Sequence, residues 1–154
     1  MKISRTALSL LAGLALVGAL SACTATISLE AAADSNNPAC AEVSVRLPDR
    51  VAELDKRVTD AQATGAWGNP TAVILRCGLP PVEVSELPCV TANGVDWLVD
   101  ESAKPSYRFI TFGRNPATEV IVDSTKAAGV TALSDLSAAI QSIEATKQCS
   151  EVSN

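Results

Sequence analysis

The chain has 154 residues, the size of a single domain, and its formal charge at neutral pH is −5. An acidic chain lacks the basic patch with which proteins neutralise phosphates, so the composition argues against nucleic acid as a partner. The sequence contains no histidine, which removes the commonest general base and leaves proton transfer to carboxylates, lysines or Tyr107.

Residues 1–22 have the layout of a secretory signal peptide. Lys2 and Arg5 precede an apolar run over residues 7–20, which is short of the roughly 20 residues that a membrane span needs. Two small residues then precede Cys23, as in bacterial lipoproteins, where this cysteine is acylated and becomes the N-terminus. We expect a lipid anchor (diacylglycerol and palmitate chains) on Cys23 at the extracytoplasmic face of the cell membrane. The alternative is an ordinary secreted protein that is cleaved before a cysteine.

Removal of residues 1–22 leaves 132 residues and changes the formal charge to −7, because Lys2 and Arg5 leave with the leader. This acidity opposes adsorption to an anionic membrane, so the acyl chains must supply the attachment. Residues 23–38 are small and polar and predict a flexible tether, which would reach about 20 Å. Residues 39–150 are then predicted to form one domain that stands off the membrane.

The remaining cysteines, Cys40, Cys77, Cys89 and Cys149, are even in number, which in an exported chain predicts two disulfides. Four cysteines allow three pairings. We favour Cys40–Cys77 with Cys89–Cys149, which would tie the first helix to a central strand and the last helix to a second strand. The sequence has no C-x-x-C motif and no histidine, so we expect no metal and no cofactor.

The first predicted element is a helix. Pro48 interrupts an apolar stripe at steps of three and four, so we predict a helix over residues 39–47 and a turn or short helix over 49–57. Residues 61–70 contain turn-forming glycines and are predicted as a loop. The stripe is predicted to face the core and consists of Val43, Leu47, Val51, Leu54 and Val58.

Strands follow. Residues 71–77 predict a buried central strand, and the proline-rich residues 79–88 predict a crossing loop. Residues 90–99 predict a hairpin with a type I′ turn at Asn93-Gly94, because both turn positions require positive φ. A second hairpin is predicted over residues 107–122.

The last predicted element is a helix that begins at Thr131 or Ser134 and ends near Lys147, whose charge suits the helix dipole. Helices at both ends of a run of strands predict an α+β fold of two layers. In it a mostly antiparallel sheet carries the N- and C-terminal helices on one face. The helix is predicted to bury Leu133, Leu136, Ile140 and Ile143.

Four short motifs occur together at residues 66–70 (AWGNP), 75–78 (LRCG), 93–97 (NGVDW) and 109–114 (FITFGR). Over residues 38–148 the chain resembles an actinobacterial family of unknown function, domain of unknown function 3515. The resemblance implies an exported, often lipidated protein of high-GC Gram-positive bacteria and implies no known activity. In the resemblance, Cys40 and Cys77 match the usual cysteines of the family. Cys89 and Cys149 resemble a second pair that only some members have.

The candidate binding residues are the two tryptophans and a set of charged residues. Trp67 and Trp97 are either core residues or, for Trp97 with Tyr107 and Phe109, part of a recognition face, since aromatic residues dominate binding hot spots. Arg76 lies in a strand, where we expect it to pair with Asp96 or another acid.

The alternative for Arg76 is that it stays unpaired and, with Arg108 and Arg114, holds an anionic ligand or a partner's carboxylate. Asp96, Asp100 and Glu101 are expected to form a solvated edge.

The sequence has no G-x-S-x-G motif and no glycine-rich phosphate loop, so we predict a non-enzymatic protein. The predicted function is an interaction module that binds an unidentified envelope protein. The alternative is a carrier or sensor for a small envelope molecule, with a pocket formed by the tryptophans and Arg76.

Overall fold

The computed structural model describes residues 25–149. The predicted signal peptide over residues 1–22 and the predicted lipidation site Cys23 lie outside the described residues. Within the described part, no helix is both long enough and apolar enough to cross a membrane.

The described residues form an α+β fold with one antiparallel sheet of eight strands and two helices, as predicted at this level. The strands lie in the order β1-β2-β3-β4-β8-β7-β6-β5, and every neighbouring pair is antiparallel. The elements are α1 (Pro38–Val45), β1 (Arg50–Val51), β2 (Leu54–Arg57), β3 (Thr64–Trp67), β4 (Val73–Leu79), β5 (Cys89–Ala92), β6 (Val95–Asp100), β7 (Ser106–Thr111), β8 (Ala117–Asp123) and α2 (Gly129–Ile140).

The sheet curves around α2. Eight strands about 4.8 Å apart would span roughly 34 Å in a flat sheet, whereas α2 is only about 18 Å long. Helix α2 nevertheless bonds to both ends of the sheet. Asp135 accepts from the backbone N–H of Ala52 beside β1 at 2.8 Å, and Ser137 donates to the carbonyl of Ala92 in β5 at 3.1 Å. A flat sheet could not make both contacts.

The main core lies on the face of the sheet that meets α2. Along β4, Val73, Leu75 and Cys77 are buried while Ile74 and Arg76 are partly exposed, which is the alternation expected of a strand with one buried face. The same core includes both tryptophans and residues of both helices: Cys40, Val43, Trp67, Trp97, Val120, Leu133, Leu136 and Ile140.

Of the turn or short helix predicted over 49–57, the helix is wrong, because these residues form the β1–β2 hairpin. Ala52 and Glu53 adopt positive φ (47° and 65°) and reverse the chain. Val51 is buried in the hairpin, whereas Val58, the last residue of the predicted stripe, is 63% exposed. The apolar spacing of this short segment fits a strand as well as a helix, and pairing with its neighbours selects the strand.

The predicted loop over 61–70 contains strand β3, all of whose residues are buried. Gly65, taken as a turn signal, instead makes room for the Trp67 ring. A Cβ atom at Gly65 would lie 2.6 Å from Cη2 of Trp67. This glycine therefore serves side-chain packing inside the sheet.

The remaining strand predictions are confirmed. Strand β4 lies fourth in the sheet, and residues 80–88 form the predicted connection without regular structure. The β5–β6 hairpin turns at Asn93 and Gly94, both with positive φ (46° and 79°). Strands β7 and β8 form the second predicted hairpin.

Helix α2 differs from the prediction at both ends. It begins at Gly129 without a side-chain cap, so neither Thr131 nor Ser134 caps it, and it ends at Ile140. Lys147 lies beyond this end, where it bonds to Glu83. The first residue packs closely against the sheet, since a Cβ atom at Gly129 would lie 3.1 Å from the Phe109 ring. The four apolar residues predicted to be buried are buried, although Ile143 follows the helix.

Residues 25–37 are packed on the domain, so the flexible tether predicted for this stretch is wrong. The carbonyl of Ala25 accepts from Arg57 at 3.0 Å, and the backbone N–H of Ile27 donates to the carbonyl of Val58 at 2.8 Å. Asp60 accepts from the backbone N–H of Leu29, which lowers the pKa of this carboxyl. A small, polar segment can still dock when its backbone groups find partners on the folded domain.

Both disulfides have the pairing that the sequence analysis favoured. Cys40–Cys77 joins α1 to β4 across 37 residues of sequence, and Cys89–Cys149 joins β5 to the segment after α2 across 60. The second bond therefore holds the C-terminal segment, whereas the prediction placed it on the last helix.

One pH effect arises in the turn after β8. Asp123 accepts from Lys126 at 2.5 Å and from the hydroxyl of Thr125 at 2.6 Å, and these bonds lower its pKa from 3.8 to about 2. Because the folded pKa lies below the ordinary value, ionised Asp123 stabilises the fold at neutral pH, and this contribution disappears as pH falls from 3.8 to about 2.

We expect Asp123→Asn to be less stable than the wild type at neutral pH in urea unfolding, and equally stable near about pH 2. A difference in unfolding free energy that persists unchanged at that low pH would contradict the assignment.

Candidate binding site

Arg76 forms part of an ion cluster with the buried Glu119 and the partly exposed Arg108. These residues lie on the adjacent strands β4, β8 and β7, where Arg76 is opposite Glu119. Glu119 is fully buried, and one of its oxygens accepts from Arg76 Nε at 2.5 Å while the other accepts from Arg108. Arg76 thus pairs with an acid, as expected, but the acid is Glu119 and not Asp96. The alternative in which Arg76 and Arg108 stay unpaired is wrong.

Glu119 was not predicted as part of this cluster. Its signal in the sequence is a single acid within the apolar strand β8. Both carboxylate oxygens are occupied, so the cluster is best explained as a structural clamp across three strands.

Trp67 and Trp97 are core residues, since each side chain is fully buried. Trp67 donates from its indole N–H to the carbonyl of Pro48 at 3.1 Å. Because Trp97 is buried, it cannot be part of the alternative recognition face. Tyr107 and Phe109 do lie together, with ring centroids 6.4 Å apart, and both line an apolar surface groove.

Asp96 does not belong to a solvated edge, because both of its carboxylate oxygens accept hydrogen bonds from other groups of the chain. One oxygen accepts from the Thr91 hydroxyl at 2.6 Å, and the other accepts from the backbone N–H of Cys149 at 2.7 Å. Asp100 accepts from Ser102, which lowers the pKa of Asp100. Glu101 bonds to Lys104 at 2.5 Å and raises the pKa of that ammonium group.

Asp96 and Arg114 meet at a cavity of about 740 Å³. The cavity lies between the β5–β6 hairpin and the segment that follows α2. Of the candidate binding residues, these are the two that the fold brings to one cavity. The lining consists of Cys89, Thr91, Gly94, Asp96, Phe112, Arg114, Ala145, Lys147, Gln148 and Cys149.

Arg114 is buried, with 5% of its surface exposed. Its Nη1 donates to the carbonyl of Ile143, whereas its Nε has no partner among residues 25–149. Burial lowers the pKa of the Arg114 guanidinium, and the negative charge of Asp96 opposes that shift. The described carboxylates include none within ion-pair distance of Arg114.

A second concave site is an apolar groove of about 360 Å³ between the start of α2 and the adjoining strands. Its rim includes Val130, which is 74% exposed, and Val90, which is 41% exposed. This groove was not predicted from the sequence, because exposed valines in a helix and a strand carry no local signal. Its lining consists of Val90, Thr91, Ala92, Val99, Glu101, Tyr107, Phe109, Val122, Ser124, Gly129, Val130 and Leu133.

Within residues 25–149, no group of three or more cysteine or acidic side chains is placed to hold a metal ion. The fold and the two concave sites define a disulfide-bonded α+β domain with a polar cavity and an apolar groove. The chain belongs to the family described as protein of unknown function (DUF3515), whose model matches residues 5–149. Comparison with curated proteins and with solved structures finds no match in either group.

Proposed function

We propose that this protein is a non-enzymatic, lipid-anchored module on the extracytoplasmic face of an actinobacterial membrane. There it would bind a protein of the cell envelope. The leader that ends at Cys23 supports the anchor and the location. The apolar groove carries the proposed binding function.

The occupant that we propose for the groove is an uncharged, apolar side chain of the partner. Aliphatic and aromatic side chains dominate the lining, and the one acid in it, Glu101, is neutralised by Lys104. Val130 and Val90 extend the apolar surface onto the rim. A contiguous apolar surface of this kind is typical of protein interaction sites.

We also propose that the protein catalyses no reaction. This is supported by the carboxylates that were candidates for proton transfer. Asp96, Asp100 and Glu101 each bond to nearby groups of the chain that hold local structure.

The anchor and the domain would lie close together. Ala25 is bonded to Arg57, so Thr24 alone separates Cys23 from the first contact with the domain. Acylation of Cys23 would therefore hold the domain at the membrane surface. We propose that partners within reach are membrane proteins or proteins at the base of the cell wall.

We further propose that the fold has two layers, with both helices on one face of the sheet. Helices α1 and α2 contact each other and bury side chains in the same core. This arrangement leaves the opposite face of the sheet to the Glu119 cluster and the loop over residues 80–88.

The test is crosslinking and co-purification from native membranes with Val130→Glu. A charge at this rim position should abolish capture of the partner, while stability changes little because Val130 is exposed. Val45→Glu is the matched control, since Val45 is 77% exposed on α1 and does not line the groove.

Cys23→Ala should release the chain from the bilayer and reduce capture. Equal capture by wild type and Val130→Glu would reject the groove, and equal membrane retention of Cys23→Ala would reject the anchor.

The second candidate function is a carrier or sensor for a small molecule, and the cavity beside Arg114 favours it. Trp67, Trp97 and Arg76 line neither concave site, so they do not form the pocket that was expected from the sequence. The carrier function would instead use the cavity beside Arg114. A volume of about 740 Å³ suits a small organic ligand.

A further inference from the structure

Arg114 is a buried cation at the wall of a cavity. Charged side chains are almost never buried without a partner that compensates the charge. Within the described residues, the Arg114 side chain donates a hydrogen bond to the Ile143 carbonyl, and Asp96 acts on it only through its charge. Both oxygens of Asp96 already accept hydrogen bonds, from the Thr91 hydroxyl and from the backbone N–H of Cys149. The guanidinium therefore lacks a close anion.

The acids near the cavity leave Arg114 without a close anion. Lys147, the other cation of the lining, is paired with Glu83 at the surface. Asp96, the acid of the lining, is held by Thr91 and by the backbone of Cys149 and forms no ion pair with Arg114 among the described residues. A single carboxylate beside Arg114 would supply the missing partner, and each further negative charge on the ligand would add to the repulsion from Asp96.

The remaining walls are partly apolar. Phe112 and the Cys89–Cys149 disulfide provide surface for a hydrocarbon body, while Thr91 and Gln148 provide polar groups. Arginine is well suited to carboxylates, because its planar fork of N–H groups matches their two oxygens.

We propose that this cavity binds a small monocarboxylate whose apolar body lies against Phe112 and the disulfide. The proposal deepens the carrier function and rests on it, and it does not depend on the partner contact at the groove.

The test is calorimetric titration of the detergent-purified protein with benzoate, and with benzamide as the uncharged analogue. Benzoate should bind saturably and benzamide should not. Arg114→Gln should weaken benzoate binding at least about tenfold, because it removes a charge-assisted hydrogen bond. Arg46→Gln is the control, since Arg46 is an exposed residue at the C-terminal end of α1. This variant should bind benzoate as the wild type does.

Lys147→Gln is the second variant, in case Arg114→Gln does not fold. It removes the other cation of the lining and should weaken binding about threefold. Benzamide binding as tight as that of benzoate, or no saturable benzoate binding to the wild type, would overturn the proposal. Native mass spectrometry then distinguishes failure of the carboxylate proposal from failure of the carrier function. An uncharged molecule retained from native membranes would keep the carrier function and reject the carboxylate.

Discussion

Replacement of Glu119 by alanine is expected to lower the free energy of unfolding by about 3 kcal/mol. The substitution leaves Arg76 on β4 and Arg108 on β7 without the carboxylate that binds both of them. Removal of one partner of a buried ion pair is strongly destabilising because the remaining charge is uncompensated. The arginines are 29% and 37% exposed, so water reduces this cost, and we expect the lower end of the usual range.

Chemical denaturation of purified Glu119→Ala measures this loss, with two variants for comparison. Glu119→Gln keeps the shape and part of the hydrogen bonding, so its loss should be smaller. Glu53→Ala removes an acid that pairs with Arg50 but is 89% exposed, and it should cost less than about 1 kcal/mol. Equal losses for Glu119→Ala and Glu53→Ala would show that the cluster does not clamp the sheet.

The second large effect concerns the Cys40–Cys77 bond. Replacement of both cysteines by alanine should lower the free energy of unfolding by about 4 kcal/mol, because the bond closes a loop of 37 residues in the unfolded chain. Alanine is the suitable replacement, since both side chains are fully buried and a serine hydroxyl would need a partner.

The measurement is guanidinium unfolding without reductant, and reduced wild type provides a comparison that leaves the sequence unchanged. The Cys89→Ala/Cys149→Ala variant should lose a similar amount, since its loop of 60 residues is only slightly costlier to close. Without this bond, residues 144–149, which form one wall of the Arg114 cavity, should detach from β5. Faster backbone hydrogen exchange in residues 144–149 would show this. A loss below about 1 kcal/mol for the first variant would contradict the loop-closure account.

The sequence by itself determined the elements whose signals are local. Asn93-Gly94 defines a hairpin because its backbone needs positive φ at two adjacent positions, and few other residue pairs tolerate this. The β-rich run in residues 71–77 indicated a buried strand, and the cysteines, with the family resemblance, indicated the disulfide pairs. Leader and anchor remain predictions from the sequence alone.

Tertiary structure decided the elements whose partners lie far away in the chain. Residues 50–57 have an apolar spacing that fits either a helix or a strand, and their pairing with β3 and contact with α2 select the hairpin. Residues 25–37 dock because backbone partners exist on the folded domain. No local pattern announces such partners.

The same reason governs the candidate site. Arg76 and Asp96 are both charged strand residues, but strand order places Glu119, and not Asp96, opposite Arg76. Asp96 instead meets Arg114 because β6 pairs with β7, and Arg114 follows β7. The second disulfide brings the C-terminal segment to the same cavity. Residue types set which chemistry is possible, whereas long-range pairing decided which groups meet, since side chains far apart in sequence interact only after the sheet has formed.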